Sequence, residues 1–133
     1  MKFFVVAALV LAASVAGAWV TTPGSREQTV HVNIHHSSFN PGSFEFSAGS
    51  TVTFVIHNGD PIDHEFILGD GAVQRRHEDG TEREHGLVPG EVTVPAGETR
   101  KTTYTFAEAG RLVVGCHLPG HFVYGMRAEV EVS

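Results

Sequence analysis

The feature that most constrains the fold of this chain is an apolar alternation with a period of two, interrupted at short intervals by turn residues. In the stretch "TVTFVIHN" the side chains of Val52, Phe54 and Ile56 share one face, and similar short runs recur to the end of the chain. Such alternation is typical of half-buried β-strands, and the Gly and Pro clusters between the runs are turn signals. We therefore predict an all-β, antiparallel Greek-key sandwich.

The chain has 133 residues, a length that predicts a single domain. Its first residues, "MKFFVVAALVLAASVAGA", have the basic, apolar and small-residue regions of a secretory signal. We predict a signal peptide over 1–18, a flexible spacer over 19–28 and the folded domain over 29–133. The apolar run is shorter than the roughly 20 residues that span a bilayer. We expect export to the periplasm or the cell exterior, with a membrane tether only if the leader is uncleaved.

The charge balance limits the kinds of partner. The chain has 15 Asp and Glu against 9 Lys and Arg, a net charge of -6 with neutral histidines. Nucleic-acid binding depends on clustered basic side chains. We therefore expect no nucleic-acid partner.

A long connection breaks the strand pattern. Residues 69–90 read "GDGAVQRRHEDGTEREHGLVPG", which is charged, rich in Gly and poor in apolar residues. The composition favours a solvated crossover between strands. A functional connection is the alternative, and the segment around residues 73–84 is compatible with a short helical turn.

The single cysteine of the chain lies in "VVGCHLPGHFVYGM". Cys116, His121 and Met126 follow the spacing C-x-x-x-x-H-x-x-x-x-M, with a Pro-Gly turn after the cysteine. One loop can therefore direct a thiolate, an imidazole and a thioether at one point. A further imidazole comes from His64, which begins the strand "HEFIL" directly after the turn "GDPID". His57 is the rival, but it faces outward if Val52, Phe54 and Ile56 face inward.

A thiolate, two imidazoles and a weak axial thioether form the ligand set of a mononuclear electron-transfer copper site. Structural zinc prefers four strong ligands, and catalytic zinc keeps one position open for water, so a thioether fits neither. The chain has no G-x-S-x-G or H-E-x-x-H motif. A Cys/His hydrolase would need a thiolate beside a free base or at a helix N-terminus. We predict one type 1 copper ion and no enzyme activity of the chain by itself.

Taken with His64 upstream, the string "GCHLPGHFVYGM" makes the chain resemble a small cupredoxin, the family of plastocyanin, azurin and auracyanin. The resemblance extends over about 29–133 and is strongest to exported bacterial members, including those associated with copper tolerance. It implies a sandwich of about eight strands, with copper at one end on His64, Cys116, His121 and Met126. It further implies a monomeric carrier of single electrons, with transient redox partners docking near the exposed edge of His121.

The chain departs from the family at one position. Plastocyanin-like members often follow the first histidine ligand with Asn, whose side chain ties the ligand loops together, whereas Glu65 follows His64 here. The resemblance therefore does not predict the hydrogen bonds between the two loops. His117, next to Cys116, is expected at the surface or behind the ligands rather than on the metal.

Histidines outside this loop leave a second function open. We interpret them as scattered surface residues, with extra copper sites for sequestration or delivery as the alternative, first at His35–His36 or around His77, Glu78 and Asp79. The histidines concerned are His31, His35, His36, His77 and His85.

Overall fold

The computed structural model describes residues 27–80 and 85–133. The predicted signal peptide and most of the predicted spacer lie outside these residues. The first strand starts at Glu27, slightly ahead of the expected start of the domain. The described residues form nine strands and one helix: β1 (Glu27–Ile34), β2 (Phe39–Asn40), β3 (Ser43–Phe46), β4 (Thr51–Asn58), β5 (His64–Gly69), α1 (Gly71–Glu78), β6 (Glu91–Val94), β7 (Thr99–Thr105), β8 (Gly110–Gly115) and β9 (Arg127–Val132).

The strands form two sheets packed face to face. The four-stranded sheet has the order β2-β1-β4-β7, and the five-stranded sheet has the order β3-β9-β8-β5-β6. The predicted β-sandwich is confirmed. Two of its strand pairs, β1 with β4 and β3 with β9, run parallel, which the period-two pattern cannot distinguish from antiparallel pairing. The very short β2 brings the number of strands above the expected eight.

The core between the sheets is rich in phenylalanine. Phe54 of β4 is fully buried, and its ring centroid lies 5.1 Å from Phe66 of β5 and 5.8 Å from Phe46 of β3. Phe46 also stacks on Phe106, with centroids 4.6 Å apart. These contacts join the two sheets, and each buried aromatic ring removes a large apolar area from water.

The first half of the connection over 69–90 packs on the sheet as the helix α1 and is not a solvated crossover. This helix overlaps the short helical turn that the sequence suggested around residues 73–84. The side chain of Asp70 accepts hydrogen bonds from the backbone N–H groups of Ala72 and Val73, both at 2.9 Å, and this N-cap starts α1. The helix packs on the sheet through Gln74, whose Nε2 donates to Val113 O at 2.8 Å and to Ile67 O at 3.1 Å. Because this buried face is polar, the sequence carried no apolar helical period.

No helix among the described residues is long and apolar enough to cross a membrane.

Candidate metal centre

Three of the four predicted ligands meet at one end of the sandwich. His64 is the first residue of β5, Cys116 follows the last residue of β8, and His121 lies in the turn after it. β5 and β8 are neighbours in the five-stranded sheet, so their ends deliver His64 and Cys116 to the same place. Nδ1 of His121 lies 3.3 Å from Cys116 Sγ, and Nδ1 of His64 lies 3.9 Å from it.

Met126 ends the loop that also carries the predicted ligands Cys116 and His121. Its backbone N–H donates to His121 O at 2.9 Å, and its carbonyl oxygen accepts from the N–H of Cys116 at 3.2 Å. Its side chain is buried, with 2% exposed. The backbone therefore fixes Met126 beside Cys116 and His121 at the start of the last strand, as the spacing predicted. Its role as the fourth ligand stays a prediction.

His57, the alternative to His64 as the first histidine ligand, lies away from the centre. His57 is on the exposed face of β4, where its Nδ1 lies 3.0 Å from Thr99 Oγ1. Along β4 the side chains of Val52, Phe54 and Ile56 are buried and His57 is exposed, as the sequence predicted.

A carboxylate orients the His64 ring. Asp60 Oδ2 lies 2.9 Å from His64 Nε2. The carboxylate can only accept, so Nε2 carries the proton and the lone pair of Nδ1 faces Cys116 Sγ. A hydrogen bond of this kind is the usual way in which proteins fix a metal-binding imidazole.

Asp60 is itself held firmly. The backbone N–H groups of His36 and Ser37 donate to its two oxygens at 2.7 and 2.8 Å, and both residues adopt positive φ to do so. Burial alone would raise the pKa of Asp60, but the hydrogen bonds from Ser37, His36 and His64 lower this pKa to about 2. The carboxylate is therefore charged at neutral pH. His36 and Ser37 thus support the centre through their backbone, a contact that no local pattern in the sequence predicts.

Glu65 stands at the position where the resemblance led us to expect Asn, and it connects the two ligand-bearing segments. Its backbone N–H donates to Cys116 Sγ at 3.3 Å, and its Oε2 accepts from the N–H of His117 at 3.1 Å. The residue is buried, with 4% exposed. One residue therefore ties the strand of His64 to the loop of Cys116, by two hydrogen bonds.

Burial sets the protonation of the two loop ligands. It raises the pKa of the Cys116 thiol to about 11, so the metal-free protein carries a neutral thiol and metal binding must release its proton. Partial burial, and then the neighbouring His64, lower the pKa of His121. The neutral imidazole that a metal needs is therefore the prevailing form of His121 at neutral pH.

The donor set fits copper. A buried thiolate sulfur and two imidazole Nδ1 atoms converge, and soft sulfur with imidazole selects copper among the first-row metals. His64, Cys116 and His121 lie close enough to hold a single ion, with donor atoms within 4.8 Å of one another.

Three further histidines near the centre, His77, His85 and His117, have buried side chains. The side chain of His117 is 1% exposed, and its two ring nitrogens lie 2.7 Å from Glu78 Oε2 and from Gln74 Oε1. The side chains of His77 and His85 are 5% and 3% exposed. The prediction of scattered surface histidines was therefore wrong for His77 and His85. The partners of His77 are His85 and Glu91, rather than the neighbouring Glu78 and Asp79.

Comparison with known proteins agrees with this geometry. A family model described as copper binding proteins of the plastocyanin/azurin family matches residues 26–133. The chain is 28% identical over 138 residues to the copper-resistant cuproprotein CopI of Pseudomonas aeruginosa, a match that covers 80% of this chain and 76% of that protein. It is 37% identical over 98 residues to CopI of Rubrivivax gelatinosus, covering 71% of this chain and 59% of that protein.

Among solved structures, auracyanin A, a blue copper protein from Chloroflexus aurantiacus, superposes with a TM-score of 0.65 at 22% identity. The match covers 81% of this chain and 100% of that one. At this identity the likeness supports the fold alone.

Proposed function

We propose, from the premise that the chain belongs to the plastocyanin/azurin family of copper binding proteins, that it carries single electrons between redox partners outside the cytoplasm. Copper is the metal that this family binds, as the sequence predicted. The observation that supports the proposal most directly is the convergence of two imidazole Nδ1 atoms on the buried Cys116 sulfur.

His64, Cys116 and His121 would hold the copper ion, and Met126 would supply the thioether. When bound, copper supplies a one-electron couple between Cu(II) and Cu(I). The protein fixes the donors so that they need not move when the charge changes. Asp60 holds the His64 ring, Glu65 holds the Cys116 sulfur, and the burial of both ligands keeps water away.

His121 offers the route for electrons to a partner. Unlike His64 and Cys116 it is only half-buried, and its neighbours Val123 and Tyr124 are 73% and 92% exposed. An apolar rim around the edge of a ligand suits the small, short-lived interfaces of electron-transfer proteins. We propose that a redox protein docks here on a monomer, and that the chain catalyses no reaction by itself.

The test is a copper titration of tag-free protein, followed by visible absorption and then by stopped-flow oxidation and reduction. One equivalent of Cu(II) should give an intense thiolate-to-copper band, and the bound copper should cycle without release. Cys116→Ser should abolish the band, while the exposed control His57→Gln should keep it. Absence of the band in the unaltered protein, or release of copper on reduction, would contradict the proposal.

A second function, in copper tolerance, is favoured by the names of the relatives. Both compared relatives are called copper-resistant cuproproteins. In that function the same centre, with or without further sites, would sequester or deliver copper. Deleting the gene in the organism that encodes it, and restoring either the unaltered or the Cys116→Ser form, separates the two. Loss of growth under copper stress that only the unaltered form restores would favour tolerance, and normal growth would favour the carrier alone.

Export rests on the leader-like sequence of residues 1–18. Mass determination of the protein recovered from the extracytoplasmic fraction would test it, since cleavage near Ala18 removes a defined mass. Recovery of the protein from the cytoplasm alone would contradict export.

A further inference from the structure

A second cluster of metal-binding side chains lies between α1 and β6, outside the Cys116 centre. It consists of His77 on α1, Glu91 at the start of β6 and His85 in the segment between them. Glu91 Oε2 lies 3.1 Å from His77 Nε2 and 3.6 Å from His85 Nδ1. One donor atom from each of the three residues lies within 4.8 Å of the others, and all three side chains are at least nine-tenths buried.

The hydrogen bonds of His77 call for a cation in this cluster. His77 Nδ1 lies 2.8 Å from Val73 O, and a carbonyl oxygen only accepts, so Nδ1 carries a proton. In the neutral ring the lone pair is then on Nε2, which faces the acceptor-only oxygen of Glu91. Two acceptor atoms at 3.1 Å need a proton or a metal ion between them. A proton there makes a hydrogen-bonded imidazole–carboxyl pair such as an imidazolium–carboxylate pair, and a metal ion there makes a coordination site.

The spacing of the donors suits a metal ion. Ligands at 2.0–2.1 Å from a tetrahedral metal are separated from one another by roughly 3.3 Å. Glu91 Oε2 lies 3.1 Å from His77 Nε2 and 3.6 Å from His85 Nδ1, one distance slightly below this value and the other slightly above it.

Each candidate ligand also has an outer partner that holds it. Val73 O holds His77, and Arg76 Nη2 contacts the second oxygen of Glu91 at 2.9 Å. Glu65 Oε1 lies 3.5 Å from His85 Nε2, and the backbone of His85 is paired with Thr93 at 2.8 and 3.1 Å. Outer contacts of this type orient the ligands of metal sites. Around the cluster, the two negative carboxylates of Glu65 and Glu91 exceed the one positive charge of Arg76.

We propose that His77, His85 and Glu91 form a second metal site, which binds a divalent ion of the Cu2+ and Zn2+ class independently of Cys116. Two imidazoles and a carboxylate suit both ions, and affinity for such sites rises from Zn2+ to Cu2+. The site has no sulfur donor, so it disfavours Cu(I) and differs in this from the Cys116 centre.

The test uses tag-free protein with the substitutions Cys116→Ser and His121→Gln, which remove two donors of the first centre. Isothermal titration with Zn2+, and Cu2+ titration followed by electron paramagnetic resonance, should each find one equivalent. The Cu2+ spectrum should show coupling to nitrogen but no thiolate band. Adding Glu91→Gln, which keeps the shape of the side chain, should lower the affinity for Zn2+ and for Cu2+ at least about tenfold. Adding His85→Gln instead should have the same effect.

The controls are His57→Gln on the exposed face of β4, and His35→Gln with His36→Gln near Asp60. Neither should change the titration, and circular dichroism should show that every variant is folded. No uptake by the protein that lacks the first centre would overturn the proposal and favour the imidazolium–carboxylate pair. Binding that is lost in the His35 and His36 variant instead would also overturn it. Because Cys116 is absent throughout, failure here is distinct from failure of the electron-carrier function.

Discussion

Two carboxylates, Asp60 and Glu65, organise the contacts around the Cys116 centre. Asp60 fixes His64 from the outside, at 2.9 Å. Glu65 contacts Cys116 and His117 on one side and His85 on the other. Glu65 therefore lies between the two clusters of donors. Its charge interacts electrostatically with both clusters, because a buried charge is screened less than an exposed one.

We predict that Glu65→Gln raises the reduction potential of the copper centre. Removing a negative charge near the metal destabilises Cu(II) more than Cu(I), while the amide oxygen can still accept from the N–H of His117. Potentiometric titration of the thiolate-to-copper band measures the change. The exposed carboxylate Glu45, replaced by Gln, should leave the potential nearly unaltered. An unchanged or lower potential in the Glu65 variant would show that its charge does not act on the metal.

Asn58 is a buried residue on which the His64 turn depends. Its Nδ2 donates to Ile62 O at 2.8 Å and to Val94 O at 2.9 Å, and its Oδ1 accepts from Asp60 N at 3.0 Å. Asn58→Ala leaves these buried groups without partners, which we expect to lower the free energy of unfolding by about 2–3 kcal/mol. Urea denaturation of the metal-free protein measures this. Asn33→Ala, on the exposed face of β1, should cost far less, and equal losses would refute the role of the Asn58 hydrogen bonds.

At the scale of elements, α1 connects the two clusters of donors. Gln74 docks the helix on β8 and also contacts His117, while His77 on the same helix faces Glu91. The helix has only eight residues, too few to be stable alone. Its position therefore depends on its cap at Asp70 and on these polar contacts.

We predict that Asp70→Ala lowers the melting temperature of the protein by a few degrees at neutral pH, because the N-cap is lost. The N–H of Val73, followed by that of Ala72, holds the pKa of Asp70 below its usual value. A depressed pKa means that the charged cap stabilises the folded state above the ordinary carboxyl pKa. This contribution disappears as the pH falls through the lowered pKa.

Asp70→Asn provides the matched control, since it keeps a capping side chain without the charge. Thermal melts should be recorded from neutral to acid pH. The melting temperature of the unaltered protein should exceed that of Asp70→Asn at neutral pH, and the two melting temperatures should converge on acidification. A difference that grows on acidification would contradict the assignment of the cap charge.

At the scale of the whole molecule, the metal centre is built where strands of one sheet end, above a core shared by both sheets. β5 and β8 bring His64 and Cys116 together, and the phenylalanine cluster beneath them holds this sheet against the other. Phe54 is the link, since it belongs to β4 of one sheet and contacts Phe46 and Phe66 of the other.

We predict that Phe54→Ala lowers the free energy of unfolding by about 3–5 kcal/mol, through lost burial and the cavity left between the sheets. Urea denaturation of the metal-free protein measures the loss, with the exposed Val123→Ala as control. Saturating copper should recover part of the stability, because a ligand that binds only the folded state stabilises it. A loss no larger than that of the control would mean that the sheets do not depend on Phe54.

The sequence by itself predicted the β-strand pattern and the loop that carries the candidate metal centre. Alternation along the chain places Val52, Phe54 and Ile56 inward and His57 outward, because successive side chains of a strand point to opposite faces. The spacing of Cys116, His121 and Met126 is likewise local, since one short turn connects them. These features needed no knowledge of which strand lies beside which.

Only the tertiary structure decided the contacts between segments that are distant in sequence. Asp60 meets His36 and Ser37, Glu65 meets His117 and His85, and His77 meets Glu91 because sheet pairing and helix docking bring them together. The sequence suggested a short helical turn near α1 but not its docking on the sheet, because the buried face of the helix is polar and its polar groups are satisfied by distant partners that no local period reveals. Local periodicity thus specified the strands, while long-range hydrogen bonds specified the surroundings of the predicted metal ligands and the second cluster of donors.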